Sequence, residues 1–532
     1  MKIKCIPYPS SSLSSFLRES AWEGKGLGLY PFEGVTANSA QVKERVQGQF
    51  DLLQRQTLQQ VLREQLGGNV SARQQANIDK LTEPNAFTVV TGQQIHIGLG
   101  PAYVLYKIAS TIHWANQLKL QYPKDHFIPV FWMASEDHDV AEIDHVNLNQ
   151  DRYQWDLPWS TSVGDMPTES LSGLFDWLTD KLGKTPQALE RIDQARAYYL
   201  KPQATLASAT AQWVSELFAE FGLLVLDPRD VRLKKQAKSL FEQALFTEAL
   251  HHALQNGTKV LKEAKQTPPA HVGTSLVFWV DGERRSRIEP TEEGFQTADG
   301  SLHWSKEAMR EILQGDGIGH LSANVLLRPL YQQCILPCVA YVAGPSEYLY
   351  WLQTAQAFEQ AKLSAPQLLH RKGGVVLTPS QQKKIERLGI QVQDCFLGVE
   401  GVKDLVVKRL VGENAVLKTV DTVTATLQEQ LQLLYQWKSP GLSESKKEID
   451  AFLKWQKKLG KAATEAYLES QFSADAWQST AQLIESQFSS AHPQERSLFW
   501  IQHWILYGDG WISALCSPDD YSPDAAFGVV EL

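Results

Sequence analysis

FIPVFWMASEDH, residues 127–138, followed by Asp139, is an uncharged and mostly apolar run that stops abruptly at three acids and an imidazole. Such a run reads as a strand covered on both faces, as strands of a parallel sheet are. Charged groups that follow it directly must sit where water or a ligand can meet them. About forty residues earlier a second apolar stretch, Ala86-Phe87-Thr88-Val89-Val90, runs into Thr91-Gly92-Gln93-Gln94 and then Gly98, Gly100 and Pro101. Two such strands with a helix between them make a βαβ unit. In an open parallel sheet its carboxyl-end rim is where ligands bind.

The helix between the strands starts near Pro101, a residue well suited to a first helical turn. Val104, Ile108, Ile112, Ala115 and Leu118 give it one apolar stripe. The turn before it offers backbone N–H groups and a helix dipole that favour phosphate or carboxylate, with Lys107 close enough to reach back as a counter-charge. The turn departs from the dinucleotide fingerprint, because Tyr103 stands where a third glycine belongs, and the chain has no phosphate loop ending in Gly-Lys-Ser/Thr. His96-Ile97-Gly98 resembles the opening of the His-Ile-Gly-His motif of class I aminoacyl-tRNA synthetases. The fourth residue is Leu99, and Lys362-Leu363-Ser364 offers only a short counterpart to the partner lysine motif.

Glu136, Asp137, His138 and Asp139, with Glu142, Asp144 and His145 just beyond, leave three chemistries open. The carboxylates can bind a substrate amine, His138 can act as general base, or the set can hold a divalent metal. Leu223-Leu224-Val225-Leu226 is a further strand ending at Asp227, and Leu276 to Val280 continues the series before a hairpin tip at Asp281-Gly282-Glu283-Arg284. Cys338 to Val342 forms another strand. It meets Gly344-Pro345-Ser346-Glu347 and opens a helix carrying Tyr348 and Tyr350. Arg328 and Arg371 add cations nearby in sequence, which suits an anionic ligand. Cys334 and Cys338 have a spacing zinc could use but lack a second pair, so both read as buried apolar residues.

With 532 residues, 43% of them hydrophobic, the chain can fill roughly three to four domain-sized units. A net charge of −9 argues against a nucleic-acid partner. No apolar run nears the ~20 residues of a membrane span, and the start lacks a secretion signal, so a cytoplasmic protein is expected. A helix is expected from about Ala37 to Leu66, with Val42, Val46, Phe50 and Leu53 at helical spacing, and Ser71 with Gln74 fits a capping box. Beyond Pro379 the pattern becomes helical. Val416, Val420, Val423, Leu427, Leu431 and Leu434 form one seam, Pro440-Gly441 breaks it, and Ser445 with Glu448 caps a second helix carrying Ile449, Phe452, Trp455, Leu459 and Ala463. This predicts an antiparallel helical hairpin with a coiled-coil-like seam, through which the chain could pair with a second copy. The expected division is a core over 1–385 with insertions at about 150–220 and 230–330, helices over 386–490, and a segment over 491–532 folding back on the core.

Taken in order, the Thr-Gly-Gln-Gln turn, the Gly-Pro followed by Tyr103 and Lys107, the Phe-Trp-x-Ala-x-Glu-Asp-His-Asp strand end, Gly344-Pro345-x-Glu347 and Pro493-Gln494-Glu495-Arg496 resemble the bacillithiol biosynthesis cysteine-adding (BshC) family. The resemblance covers nearly the whole chain. It departs at His96-Ile97-Gly98-Leu99, which puts His96 in doubt as a catalytic group. It implies an α/β fold with a Rossmann-like parallel-sheet core, similar to class I synthetases and nucleotidyltransferases, plus insertions and a coiled-coil domain associated with homodimers. The implied activity is a ligase that joins cysteine to glucosaminyl malate through an amide. On that resemblance Asp137 and His138, with Glu136 and Asp139, would position the amine and take its proton. Thr91, Gly92, Gln93, Gln94, Gly100, Pro101 and Lys107 would hold the phosphates of ATP or ADP. Gly344, Glu347, Tyr350, Arg328 and Arg371 would line the substrate wall, and the metal content is left open. The alternative is a nucleotide- or thiol-binding regulatory protein on the same scaffold, without turnover.

Overall fold

The computed structural model describes residues 2–6, 39–68, 70–148, 151–282, 284–413, isolated helical positions between 419 and 466, and residues 474–489, 493–516 and 527–531. The chain divides into two compact units, one formed by residues 1–374 with 495–530 and the other by residues 375–494 with 531–532.

The first unit is built on a five-stranded parallel sheet. Its strands are β1 (Ala86–Gln93), β2 (His126–Met133), β3 (Leu224–Leu226), β4 (Cys338–Ala343) and β5 (Gln367–His370). They lie in the order β5-β4-β1-β2-β3. Side-chain direction alternates along each strand. Phe87, Val89 and Phe127 enter one apolar cluster, whereas Val90, Ile128, Val130 and Trp132 enter another, so the sheet is covered on both faces. The register between β1 and β2 runs from Ala86 opposite His126 to Gln93 opposite Met133, which ends both strands at one level. Helix α1 (Ala102–Gln121) carries the chain from β1 to β2. Chain order reverses between β1 and β4, and the crevice beyond their carboxyl ends is the expected ligand position in such a sheet.

Two expectations change. Residues 276–280 do not extend the parallel sheet. Val277–Val280 pairs antiparallel with Arg285–Pro290 and with Leu321–Ala323 in a separate five-stranded sheet. Val277 is buried but Phe278, Trp279 and Val280 stay half-buried, the mark of a strand covered on one face. The helix expected through Leu66 is instead two helices, Ser39–Gln49 and Leu52–Leu66. Asp51 caps the second, accepting from the Gln54 N–H while the Gln54 side chain accepts from its own N–H. The cap turns Leu53 outward, while Val42, Val46 and Phe50 remain in the core.

In the segment from Glu495, Trp500 and Trp504 pack on Trp213 with ring centroids 5.5 and 5.3 Å apart, and Ala102 N–H donates to Leu498 O at 2.8 Å. In the second unit, helices Pro379–Arg387, Gly398–Glu413 and Ala474–Phe488 are present, and the Phe396 and Phe488 rings meet edge to face at 5.0 Å. The expected hairpin falls largely outside the described residues: Val416, Val420, Leu431, Leu434, the Pro440-Gly441 turn, Ser445, Glu448, Ile449, Leu459 and Ala463 are not among them. Val423, Leu427, Phe452 and Trp455 are helical and exposed. Among the described residues no helix is long and apolar enough to cross a membrane.

Candidate active site

At the switch point a cleft of about 200 Å³ opens between the ends of β1 and β4. Gly92, Gln93 and Gln94 form its floor, and Trp132, Tyr341 and Trp351 supply aromatic walls. Helix α2 (Arg328–Ile335) contributes Arg328 and Gln332, and helix α3 (Pro345–Gln353) contributes Glu347 and Tyr350. Glu142, on the short helix Val140–Ile143 that follows β2, completes the rim.

Asp137 is held from several sides. Its Oδ2 accepts from Gln94 Nε2 at 2.6 Å and from Arg328 Nη2 at 3.0 Å, and its Oδ1 accepts from the His138 N–H at 2.9 Å. Arg285 Nη1, from the antiparallel sheet, stands 3.9 Å away. Burial by itself would raise this carboxyl's pKa, but the Arg328 charge, the His138 hydrogen bond, Arg285 and Gln94 together hold it well below the usual carboxylate range. Burial lowers the Arg285 guanidinium to about 10, against the pull of Asp137. Both arginines are therefore charged at neutral pH.

His138 is half-exposed. Its Nδ1 lies 2.8 Å from Arg285 Nη1 and 3.4 Å from Asp137 Oδ1. A guanidinium has only donors, so at the shorter distance Nδ1 must accept, and the ring proton resides on Nε2. In that tautomer the outward nitrogen donates.

The β1 turn is closed on itself. The Lys107 ammonium is buried and has three protons to give. It donates to Gly92 O, to Gln93 Oε1 at 3.0 Å, and pairs with Glu347 Oε2 at 2.7 Å. Burial lowers the Lys107 pKa and Glu347 works against that shift. Glu347 also accepts from Tyr341 Oη at 3.1 Å and from the Gly344 N–H at 2.8 Å. Thr91 Oγ1 donates to Val342 O, Gly98 N–H to Tyr199 Oη, and Leu99 N–H to His96 O. Gly100 adopts φ of +83°, and a Cβ there would lie 2.8 Å from the His96 ring.

The structure thus brings Gly92, Gln93, Gln94, Asp137, Arg328, Glu347 and Tyr350 to one rim, and it changes the chemistry expected of several residues. Asp137 already accepts from Gln94, Arg328 and the His138 N–H and sits between two guanidiniums, so it orients Arg328 and Arg285. Glu136 is buried and paired with Lys234, whose ammonium also donates to Gly319 O and Leu321 O, so it does not line the cleft. Asp139 is exposed and also stands outside the cleft lining. Glu136 turns to Lys234 and Asp137 to Arg328, and among the described residues no three His, Cys, Asp or Glu side chains converge as metal ligands would. In the turn expected to cradle phosphate, the N–H groups of Gly92, Gly98 and Leu99 and the Lys107 ammonium already donate within the protein, and Pro101 has no N–H to give, forming a bridge with Phe499. Arg371 is buried in a two-pronged pair with Glu495, at 2.9 and 2.6 Å, behind Gly344 and not in the cleft wall. Cys334 and Cys338 are free thiols, and burial pushes the Cys334 thiol up to about 12.

Sequence reasoning missed Arg285, Lys234, Tyr341 and Gln332, and named Glu142 only as one member of the acidic set after β2, without a role of its own. Arg285 and Lys234 carry no local motif. Each reaches the site through folding of distant segments, Arg285 from 147 residues beyond His138 and Lys234 from 98 beyond Glu136.

Residues 1–372 match a family model described as bacillithiol biosynthesis BshC, N-terminal Rossmann-like domain. A protein of Christiangramia forsetii is 33% identical over 412 residues, 75% of each chain. Proteins of Cytophaga hutchinsonii and Flavobacterium johnsoniae are each 31% identical, covering 74% and 77% of both chains respectively. All three carry the name "Putative cysteine ligase BshC".

Proposed function

The chain belongs to the bacillithiol biosynthesis BshC family, and from that premise we propose that it is a cysteine ligase that joins cysteine to glucosaminyl malate through an amide bond, as the last step of bacillithiol synthesis. One observation carries the reading. At the switch point a fixed guanidinium, Arg328, shares a partly aromatic cleft with the side-chain amides of Gln93 and Gln94. An anionic group entering there meets a cation already held in place by Asp137, which costs little reorganisation.

A free carboxylate does not acylate an amine, so the cysteine carboxyl must arrive with a phosphate-type leaving group, and ATP is the proposed source, bound as a substrate. The Gly98 and Leu99 N–H groups and Lys107 are engaged within the protein, so the anionic leaving group is assigned to Arg328, whose planar fork suits phosphate and carboxylate oxygens. Gln93, Gln94 and Tyr350 would orient the substrate, and Glu347 would hold Lys107 and Tyr341 as a rigid wall. The described thiols, Cys334, Cys338, Cys395 and Cys516, are all free, in keeping with a reducing cytoplasm. Pairing of two copies through the helices of 386–490 remains part of the proposal, and sedimentation as a monomer at micromolar concentration removes it.

The test is incubation of the full chain with ATP, cysteine and glucosaminyl malate, with product read by mass spectrometry. Amide product is expected, and its absence together with retained substrate binding would favour a regulatory binder without turnover. Lys107, held by Gly92, Gln93 and Glu347 and so not free to meet a phosphate, is the observation that gives this second reading its weight.

A further inference from the structure

Of the carboxylates near the strand ends, Glu136, Asp137 and Glu347 are neutralised. Glu136 faces Lys234, Asp137 faces Arg328 at 3.0 Å, and Glu347 faces Lys107 at 2.7 Å. Glu142 lines the same cleft, and among the described residues no cation lies within ion-pairing distance of it. Gln94 adds an acceptor. Its Nε2 is committed to Asp137, which fixes the orientation of the amide and leaves Oε1 buried without a donor. One cleft therefore holds a carboxylate and an amide oxygen that both lack a hydrogen-bond donor, together with a guanidinium on another wall.

We propose that Glu142, with Gln94 Oε1, recognises the ammonium of the amine substrate and that Glu142 takes its proton as the amide forms. The inference deepens the ligase reading and rests on it. In the step, the amine nitrogen attacks the activated carbonyl and the C–N bond forms. Glu142 takes one proton from the ammonium, which frees the lone pair for that attack; the acyl–oxygen bond breaks, its electron pair leaves with the phosphate-type group toward Arg328, and the nitrogen's second proton goes to water. This assigns to Glu142 the role expected of Asp137 and His138: the arginines hold Asp137 well below the usual carboxylate range, which makes it a poor proton acceptor, and His138 Nδ1 is engaged by Arg285.

The surroundings suit a base. Glu142 faces Asp137 and Asp139 from its own segment, Arg328 from α2, and Lys107 and Tyr103 from α1, while its backbone meets His96. Burial and the two aspartates raise its pKa, and Arg328 with Lys107 only partly oppose them. A carboxylate so placed holds a transferred proton better than an ordinary one, and activity should fall on the acid side of a profile displaced upward from the usual range near ~4.3.

The experiment compares wild type, Glu142→Gln and Glu142→Asp as full chains in the ATP, cysteine and glucosaminyl malate assay, with folding checked by circular dichroism. Glu142→Gln should lose roughly 10²- to 10⁴-fold in kcat and lose the acid limb of the pH profile, with partial return in Glu142→Asp. Turnover of Glu142→Gln within about threefold of wild type, with its acid limb intact, overturns the inference and leaves the ligase reading standing. Failure of wild type to make product overturns the ligase reading instead. Calorimetric binding of glucosaminyl malate then decides the recognition half: it should weaken about tenfold or more in Glu142→Gln, and unchanged binding overturns it.

Discussion

Replacing Asp137 by Asn should destabilise the first unit more than most single substitutions, because it keeps the shape and removes the carboxylate that stands between the Arg285 and Arg328 guanidiniums. The Asp137 side chain is 13% exposed, and those of Arg285 and Arg328 are 3% and 22% exposed. At separations of 3.0 and 3.9 Å, an effective dielectric of about 20 gives gross attractions of about 5.5 and about 4 kcal/mol. Much of this offsets desolvation of the three ions, and removing one partner of such a buried set costs on the order of 3–5 kcal/mol net. The sign with pH follows from the depressed carboxyl. A group with a lowered folded-state pKa contributes fully above its unfolded value, near ~3.9 for Asp, and loses that contribution as pH falls through the folded value. The urea midpoint of wild type and Asp137→Asn at pH 7, read by tryptophan emission, should therefore differ by the full amount. A second substitution, Arg328→Met, should recover part of the loss in the double variant, because it removes one of the stranded charges. Stability of Asp137→Asn within about 1 kcal/mol of wild type at pH 7 would refute the assignment of Asp137 as the anchor of both arginines.

Three further outcomes are expected. Lys234→Met strands buried Glu136 and should cost about 3–5 kcal/mol in the same unfolding assay, with recovery in a Lys234→Met/Glu136→Leu double variant; a neutral single substitution contradicts the buried pair. Gly100→Ala places a Cβ against the His96 ring at positive φ and should cost roughly 1–3 kcal/mol, so an unchanged thermal midpoint would deny that contact. Burial depresses His96, His113 and His370 to about 3 and His503 to about 4, so the unfolded chain binds more protons than the folded one below about 6.5. Each should then remove up to ~1.4 kcal/mol of stability per pH unit on acidification from pH 6.5, and urea midpoints that stay flat from pH 7 to 5 would count against it.

Much of the architecture could be read from residue order. The unbroken apolar runs within 86–93 and 126–133 and the switch to helical spacing after Pro101 are local properties of the chain, set by backbone geometry and by which side chains avoid water. So is the placement of polar residues just past each strand, which marked Gln93, Gln94 and Asp137 as rim residues before any coordinates. The strand near 277 misled because a short apolar run has the same local pattern in a parallel and in an antiparallel sheet. Only the half-burial of Phe278 to Val280 separates the two.

What a charged side chain does at the rim was decided by tertiary structure alone. Asp137 reads as a free acid in sequence and becomes an anchor because Arg328 arrives from 191 residues away and Arg285 from another sheet. Lys107 reads as a phosphate ligand and becomes a buried strut once Glu347 closes on it. Glu142 looks like one more acid in a run of acids, and only the pairing of its neighbours leaves it without a cation. Backbone preference and hydrophobic periodicity act over a few residues and leave a trace in the sequence. Coulomb pairing acts through space between segments whose proximity exists only after folding.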